Sequence, residues 1–161
     1  RYFNLARGID NRPVVPDREA KSIGHEQTFE VDVHDPEEVR RVLFDQAEQV
    51  ARRLRKHGLH AHGISLKIRF GAFETISRSL TLHDPTDVTA ELWQAARGLF
   101  DKWAEQFQPV RLIGMTAERL VRGEGQMKLF CDPNRERQRE VDRIADRINA
   151  RFGGTRIKRG R

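Results

Sequence analysis

The chain has one cysteine, Cys131, in 161 residues. A lone thiol excludes an internal disulfide and fits a reducing cytoplasm. No run of about 18 apolar residues occurs, which excludes a helical membrane span. Nothing resembles a signal peptide. The sequence also lacks an initiating methionine, so it is expected to be a piece of something longer, located in the cytoplasm. Aromatic residues make up only 7% of the chain. A glycine-rich phosphate loop, a nucleophile–base pair and a carboxylate pair are all missing, so no catalytic chemistry announces itself. The only histidine cluster, "HGLHAH" (His57, His60, His62), straddles a helix end and a glycine, and it is read as helix-end and loop residues with no metal.

Charge, by contrast, is abundant and unevenly placed. Hydrophobic content of 37% against 34% charged predicts one modest core under a charged exterior. The net charge of +6 comes from the C-terminal end, where residues 134–161 hold ten Lys and Arg against four Asp and Glu. The 133 residues before them balance at 20 against 20. Such a tail suits an anionic partner, or else is a well solvated terminus.

Two segments repeat at an offset of 49 residues, "VHDPEEV" (Val33–Val39) and "LHDPTDV" (Leu82–Val88). In each, an alternating run meets His-Asp-Pro and then a helical pattern. Asp35 and Asp84 are placed to cap helices, with Pro36 and Pro85 at the first helical position. Behind them, Val39, Leu43, Ala47, Val50 and Leu54 match Val88, Leu92, Ala96, Leu99 and Trp103 in spacing. Strands flank both helices: "TFEVDV", with Phe29, Val31 and Val33 inward, then "GISLKIRF", "TISRSLTL" and "PVRLIGM". The predicted fold class is α/β in the α+β sense, β-α-β-β-α-β. It has a four-stranded sheet near 22–33, 63–70, 73–83 and 109–120, and two helices near 36–57 and 86–107 on one face. A further helix follows at the C-terminus.

The uncovered sheet face then carries the outward residues of the alternation: Ser65, Lys67 and Arg69 on the second strand, and Thr75, Ser77, Ser79 and Thr81 on the third. Lys21 and Ser22 lead into the first strand, and Arg111 enters the last. Short hydroxyls and scattered cations suit phosphate oxygens. Aromatic residues for stacking unpaired bases are nearly absent, as are clusters that read base edges. This is either a sequence-blind backbone grip or a solvated antiparallel face with threonines favoured by strand propensity.

Three separated motifs, "KSIGHEQTF" (Lys21–Phe29), "FETISRSLTL" (residues 73–82) and "VRLIGM" (Val110–Met115), resemble the little-finger domain of Y-family translesion DNA polymerases of the DNA polymerase IV type. The likeness runs from Leu5 to Leu120, and "LARGIDNRPVVP" looks like the end of a thumb and a linker. The resemblance implies a domain lying in the major groove of primer-template duplex DNA. Lys21, Ser22, Ile23 and Gly24 would contact one backbone partly through main-chain N–H groups. Thr75, Ser77, Arg78 and Ser79 would contact the other, with Arg111 adding a charge from the last strand. Lys67 and Arg69, placed on the same face by the alternation, join them as expected DNA-binding residues. It also implies catalysis elsewhere, on palm carboxylates that bind magnesium. This chain alone would then be inactive, with no cofactor of its own.

Beyond the third motif, "QMKLF" is similar to the pentapeptide that binds the bacterial sliding clamp, with Gln126 as hydrogen-bonding residue and Leu129 and Phe130 as apolar anchors. The chain thus divides into thumb end and linker (1–20), little finger (21–121), clamp-binding linker (122–133) and basic helical tail (134–161). In the tail, Val141, Ile144, Ile148 and Phe152 make an apolar stripe expected to dock on the domain, beside Arg139, Arg143, Arg147 and Arg151, with contact to duplex DNA as the alternative. Expected partners are duplex DNA and the clamp, with the protein a monomer. The alternative is a standalone interaction module, or a regulator competing for the clamp, without polymerase activity.

Overall fold

Asp35 shows how directly the first half of the chain encodes its structure. Its carboxylate accepts a 2.9 Å hydrogen bond from Glu37 N, and Pro36 follows at the first helical position. The helix it opens buries Val39, Leu43, Ala47, Val50 and Leu54 completely. Each of these Val and Leu side chains removed from water contributes about 1.5–3 kcal/mol. The computed structural model describes residues 2–13, 20–72, 74–123, 132–153 and 157. The element order is α1 (Tyr2–Ala6), β1 (Ser22–Val33), α2 (Pro36–Lys56), β2 (Leu59–Phe70), β3 (Thr75–Thr86), α3 (Thr89–Ala104), β4 (Val110–Arg122) and α4 (Pro133–Phe152).

The strands form one antiparallel sheet in the order β1-β4-β2-β3. Helices α2 and α3 cover one side of it, packing on Ile64, Leu66 and Ile68 of β2 and Ile113, Met115 and Ala117 of β4. In α3, Leu92, Ala96 and Phe100 are fully buried, while Leu99 and Trp103 lie at the margin. Trp103 stacks among Phe70, Phe100 and Phe107. Arg40 joins the two helices, bonding Asp101 and Glu37 while lying 5.4 Å from the Phe100 ring centroid. Burial opposes its charge, but the hydrogen bonds to Asp101 and Glu37 outweigh it and hold its pKa above the ordinary value.

Three expectations fail, each for a physical reason. Val31 is exposed because the β1–β4 register shifts between Thr28 and Val33, which breaks the alternation. The second His-Asp-Pro does not cap a helix. Ala61 pairs with Thr86 and Gly63 with Thr81, so Leu82, His83, Asp84 and Pro85 bulge from β3 opposite His62. Proline cannot donate to a ladder, and a bulge on an edge strand accommodates it.

The third failure concerns α4. It docks by its polar face, with Arg139, Asp142 and Asn149 buried and Val141, Ile144 and Phe152 exposed. Arg55 of α2 contacts Asp146 at 2.6 Å and Asp142 at 3.3 Å. Arg139 sits 3.3 Å from Asp87 and donates to His60 Nε2 at 3.0 Å. Helix α3 begins at Val88 with no side-chain cap of its own. Asp142 supplies one from α4, accepting from Thr89 N at 2.9 Å.

Candidate nucleic-acid interface

The pairing register lays the uncovered face out as a grid of four rows across β1, β4, β2 and β3. The rows read Ser22–Glu118–Gly63–Thr81, Gly24–Thr116–Ser65–Ser79, Glu26–Gly114–Lys67–Ser77 and Thr28–Leu112–Arg69–Thr75. The residues between them in sequence, such as Ile23, Ile64, Leu66, Ile113 and Met115, are the buried ones. Most grid positions are short, and glycine is required at two. A Cβ on Gly24 would lie 2.6 Å from Thr116 Oγ1, and one on Gly114 would lie 2.8 Å from Glu26 Cβ. Gly114→Val is therefore expected to destabilise the fold by about 1–3 kcal/mol in urea denaturation through overpacking. An unchanged midpoint would mean that Glu26 can move aside.

The sequence-predicted residues fall into three groups. Thr75, Ser77, Ser79, Lys67 and Arg69 share the open face as expected. Lys21 and Ser22 are exposed at the start of β1, whereas Ile23 points to the core and is 4% exposed, leaving only its backbone for a ligand. Because β1 is an edge strand, half of its N–H and C=O groups lack a ladder partner. Gly24 O uses that freedom to accept from Arg53 Nη1 at 2.8 Å.

Two arginines lie off the grid. Arg78 pairs opposite Leu66 on the helix side of the sheet, and its guanidinium folds onto the Ser77 carbonyl at 3.1 Å. Arg111 is the extra residue of a β4 bulge, where Arg69 pairs with Leu112 and Phe70 with Val110. It lies 2.6 Å from Asp32 and donates to Glu30 O at 2.9 Å. Gln126, Leu129 and Phe130 lie outside the described residues. The histidines of "HGLHAH" do not converge: His57 is the C-terminal cap of α2, and His60 meets Arg139.

The sequence reading missed Glu26, Glu118 and Arg119. Ser65 Oγ donates to Glu118 at 2.7 Å, and Lys67 Nζ lies 3.0 Å from Glu26 across Gly114. Strict alternation sends Arg119 inward. Its backbone instead takes a positive φ of 51°, and its guanidinium donates to Thr81 Oγ1 at 2.7 Å. Arg69 Nε makes the matching contact with Thr75 Oγ1 at 3.0 Å. The hydroxyl row of β3 therefore has an arginine at each end.

A model of the impB/mucB/samB family C-terminal domain matches residues 20–129. DNA polymerase IV of Desulfatibacillum aliphaticivorans is 38% identical over 159 residues, covering 97% of this chain and 40% of that protein. DNA polymerase IV 1 of Bacillus subtilis (strain 168) is 33% identical over 166 residues, covering 99% of this chain and 40% of that protein. The chain thus spans about 40% of the length of the curated relatives it matches. Among solved structures, a little finger domain of PolIV, in complex with a beta-clamp processivity factor, aligns over 70% of this chain and 97% of its own. It is 23% identical, with a TM-score of 0.50. A Y-family DNA polymerase chimera aligns over 75% of this chain and 34% of its own, at 16% identity and a TM-score of 0.56. Both structures share this fold.

Proposed function

This chain belongs to the impB/mucB/samB family as the C-terminal, little-finger part of a DNA polymerase IV, and we propose that its open sheet face holds the two backbones of primer-template duplex DNA without reading sequence. The observation that supports this most is the grid itself: hydroxyls and glycines over four strands, with Arg69 and Arg119 bounding the β3 row. Small donors let a phosphate approach closely, and the cations release counterions as it does so. Only one aliphatic side chain, Leu112, interrupts the grid, and none of its described positions holds an aromatic side chain on which a base could stack. Under the same proposal the parent protein is a translesion polymerase with magnesium on palm carboxylates, and this segment supplies grip rather than chemistry.

Fluorescence anisotropy with labelled duplexes tests the grip. Weak binding is expected, equal for duplexes of shuffled sequence, with log K falling linearly as log salt rises. Salt-insensitive binding, or a strong preference for one sequence, would overturn it.

Recruitment by a sliding clamp is the second part of the proposal. It rests on Gln126, Leu129 and Phe130 in sequence, and the capture of a similarly folded little finger with a beta-clamp supports it. Two apolar anchors and one amide hydrogen bond can sustain a contact of about micromolar strength. Phe130→Ala is expected to weaken clamp binding about tenfold or more in titration calorimetry, since one buried anchor contributes about 1.5–3 kcal/mol. Equal affinities of variant and parent would remove the recruitment reading and leave the DNA reading standing.

A further inference from the structure

Two carboxylates occupy a grid otherwise fitted for phosphate. Glu118 stands on the inner strand β4 and accepts from Ser65 of β2 at 2.7 Å. Glu26 starts on β1 and reaches over Gly114 to Lys67 of β2 at 3.0 Å. Both acids therefore end above the inner strands, where they engage the two donors that β2 offers there. The hydroxyl row of β3, with Arg69 and Arg119, carries no acid.

We infer that Glu26 and Glu118 are specificity-determining residues that let this face accept duplex DNA and reject a single strand. The inference rests on the duplex-gripping function proposed above. Neighbouring strands are about 4.8 Å apart, so β1 and β3 are separated by about 14 Å. The major groove of B-DNA is about 12 Å wide. A duplex laid on the sheet by its major groove sets one row of phosphates over β1 and the other over β3. The inner strands then face the groove floor, which presents base-edge donors and neutral acceptors but no phosphate charge. Carboxylates in that position cost the duplex little.

A single strand meets different chemistry. It has one backbone and free torsions, and nothing holds it at the width of the sheet. Its phosphates would settle over the middle, where Ser65 and Lys67 could otherwise donate to them. Glu26 and Glu118 keep those two donors engaged and repel a phosphate placed between them. The two acids thus act on the ligand that can reach the centre, and hardly on the one held at the edges.

The test is anisotropy on the 161-residue chain, with a labelled mixed-sequence duplex and its isolated labelled strand at one salt concentration. Glu26→Gln/Glu118→Gln keeps side-chain size and the bond from Ser65 while removing both charges. Single-strand affinity is expected to rise roughly tenfold and duplex affinity about twofold or less. Glu38→Gln/Glu105→Gln makes the same charge change at exposed positions in α2 and at the C-terminal cap of α3, and its duplex-to-single-strand ratio is expected to match that of the parent. A ratio unmoved by the first variant, or moved equally by the second, overturns the inference while parental duplex binding stands. Failure of the parent chain to bind duplex would instead remove the reading beneath it. Thermal melts of both variants establish that the comparison is between folded proteins.

Discussion

Replacing Asp142 by alanine is expected to lower the stability of the chain by about 2–4 kcal/mol. Asp142 is 4% exposed and serves two elements at once. It accepts from Thr89 N at 2.9 Å, capping α3 where the local residue, Val88, has no acceptor to offer. It also lies 3.3 Å from Arg55 Nη1, in a site where Arg55 is nearly covered. Losing a helix cap alone costs about 1 kcal/mol. Breaking a buried ion pair can cost about 3–5 kcal/mol, but Arg55 keeps Asp146 at 2.6 Å, so only part of that applies. Ile144→Ala on the same helix is the companion measurement. Ile144 is 48% exposed, and its loss should change stability by no more than about 0.5 kcal/mol. Urea denaturation of the two variants decides between polar and apolar docking. If Ile144→Ala is the more damaging, α4 rests on its hydrophobic stripe after all.

That contrast shows where the sequence could be read and where it could not. Apolar periodicity located α2 and α3, because their stripes meet a sheet face that is itself apolar and every buried methyl favours the same arrangement. The same rule misplaced α4. Its stripe is as regular, but the surface available to it, at the C-terminal end of α2 and the N-terminal end of α3, offers Arg55, Asp87 and an uncapped backbone N–H. Charges on that surface select the charged side of the helix. The repeated His-Asp-Pro carries a related lesson. Identical tripeptides give a cap after β1 and a bulge in β3, because Thr86 returns to pair with Ala61 and its hydroxyl then accepts from Val88 N. On the candidate site, β2 and the first part of β3 alternate without interruption, so Lys67, Arg69 and the hydroxyl row were legible. Bulges in β1 and β4, and the positive φ of Arg119, break the period of two, and the residues beside them were not.

Alanine at both Arg69 and Arg119 is expected to lower the log–log salt slope for duplex binding by up to about 1.8, and to weaken binding roughly 60-fold near 0.1 M salt. The reason is which cations are already neutralised. Lys67 is held by Glu26 at 3.0 Å and Arg111 by Asp32 at 2.6 Å, so a phosphate must compete with a carboxylate for either. Among the described residues, Arg69 and Arg119 hold only the hydroxyls of Thr75 and Thr81, which leaves their charge for an anion. Those hydroxyls bound a row about 20 Å long at strand spacing, enough to follow one backbone. Each phosphate neutralised contributes about 0.9 to the slope, and at that salt about eightfold in affinity. The double variant Arg78→Ala/Arg111→Ala should lose less, because Arg78 lies on the helix side and Arg111 is engaged. Arg119→Gly separates charge from fold: glycine accepts a positive φ that costs arginine about 1 kcal/mol or more, so stability should hold while the slope falls by about 0.9. A slope that is unchanged in Arg69→Ala/Arg119→Ala would remove the β3 row from the interface. A larger loss from Arg78→Ala/Arg111→Ala would place the phosphates at the rim of the sheet instead.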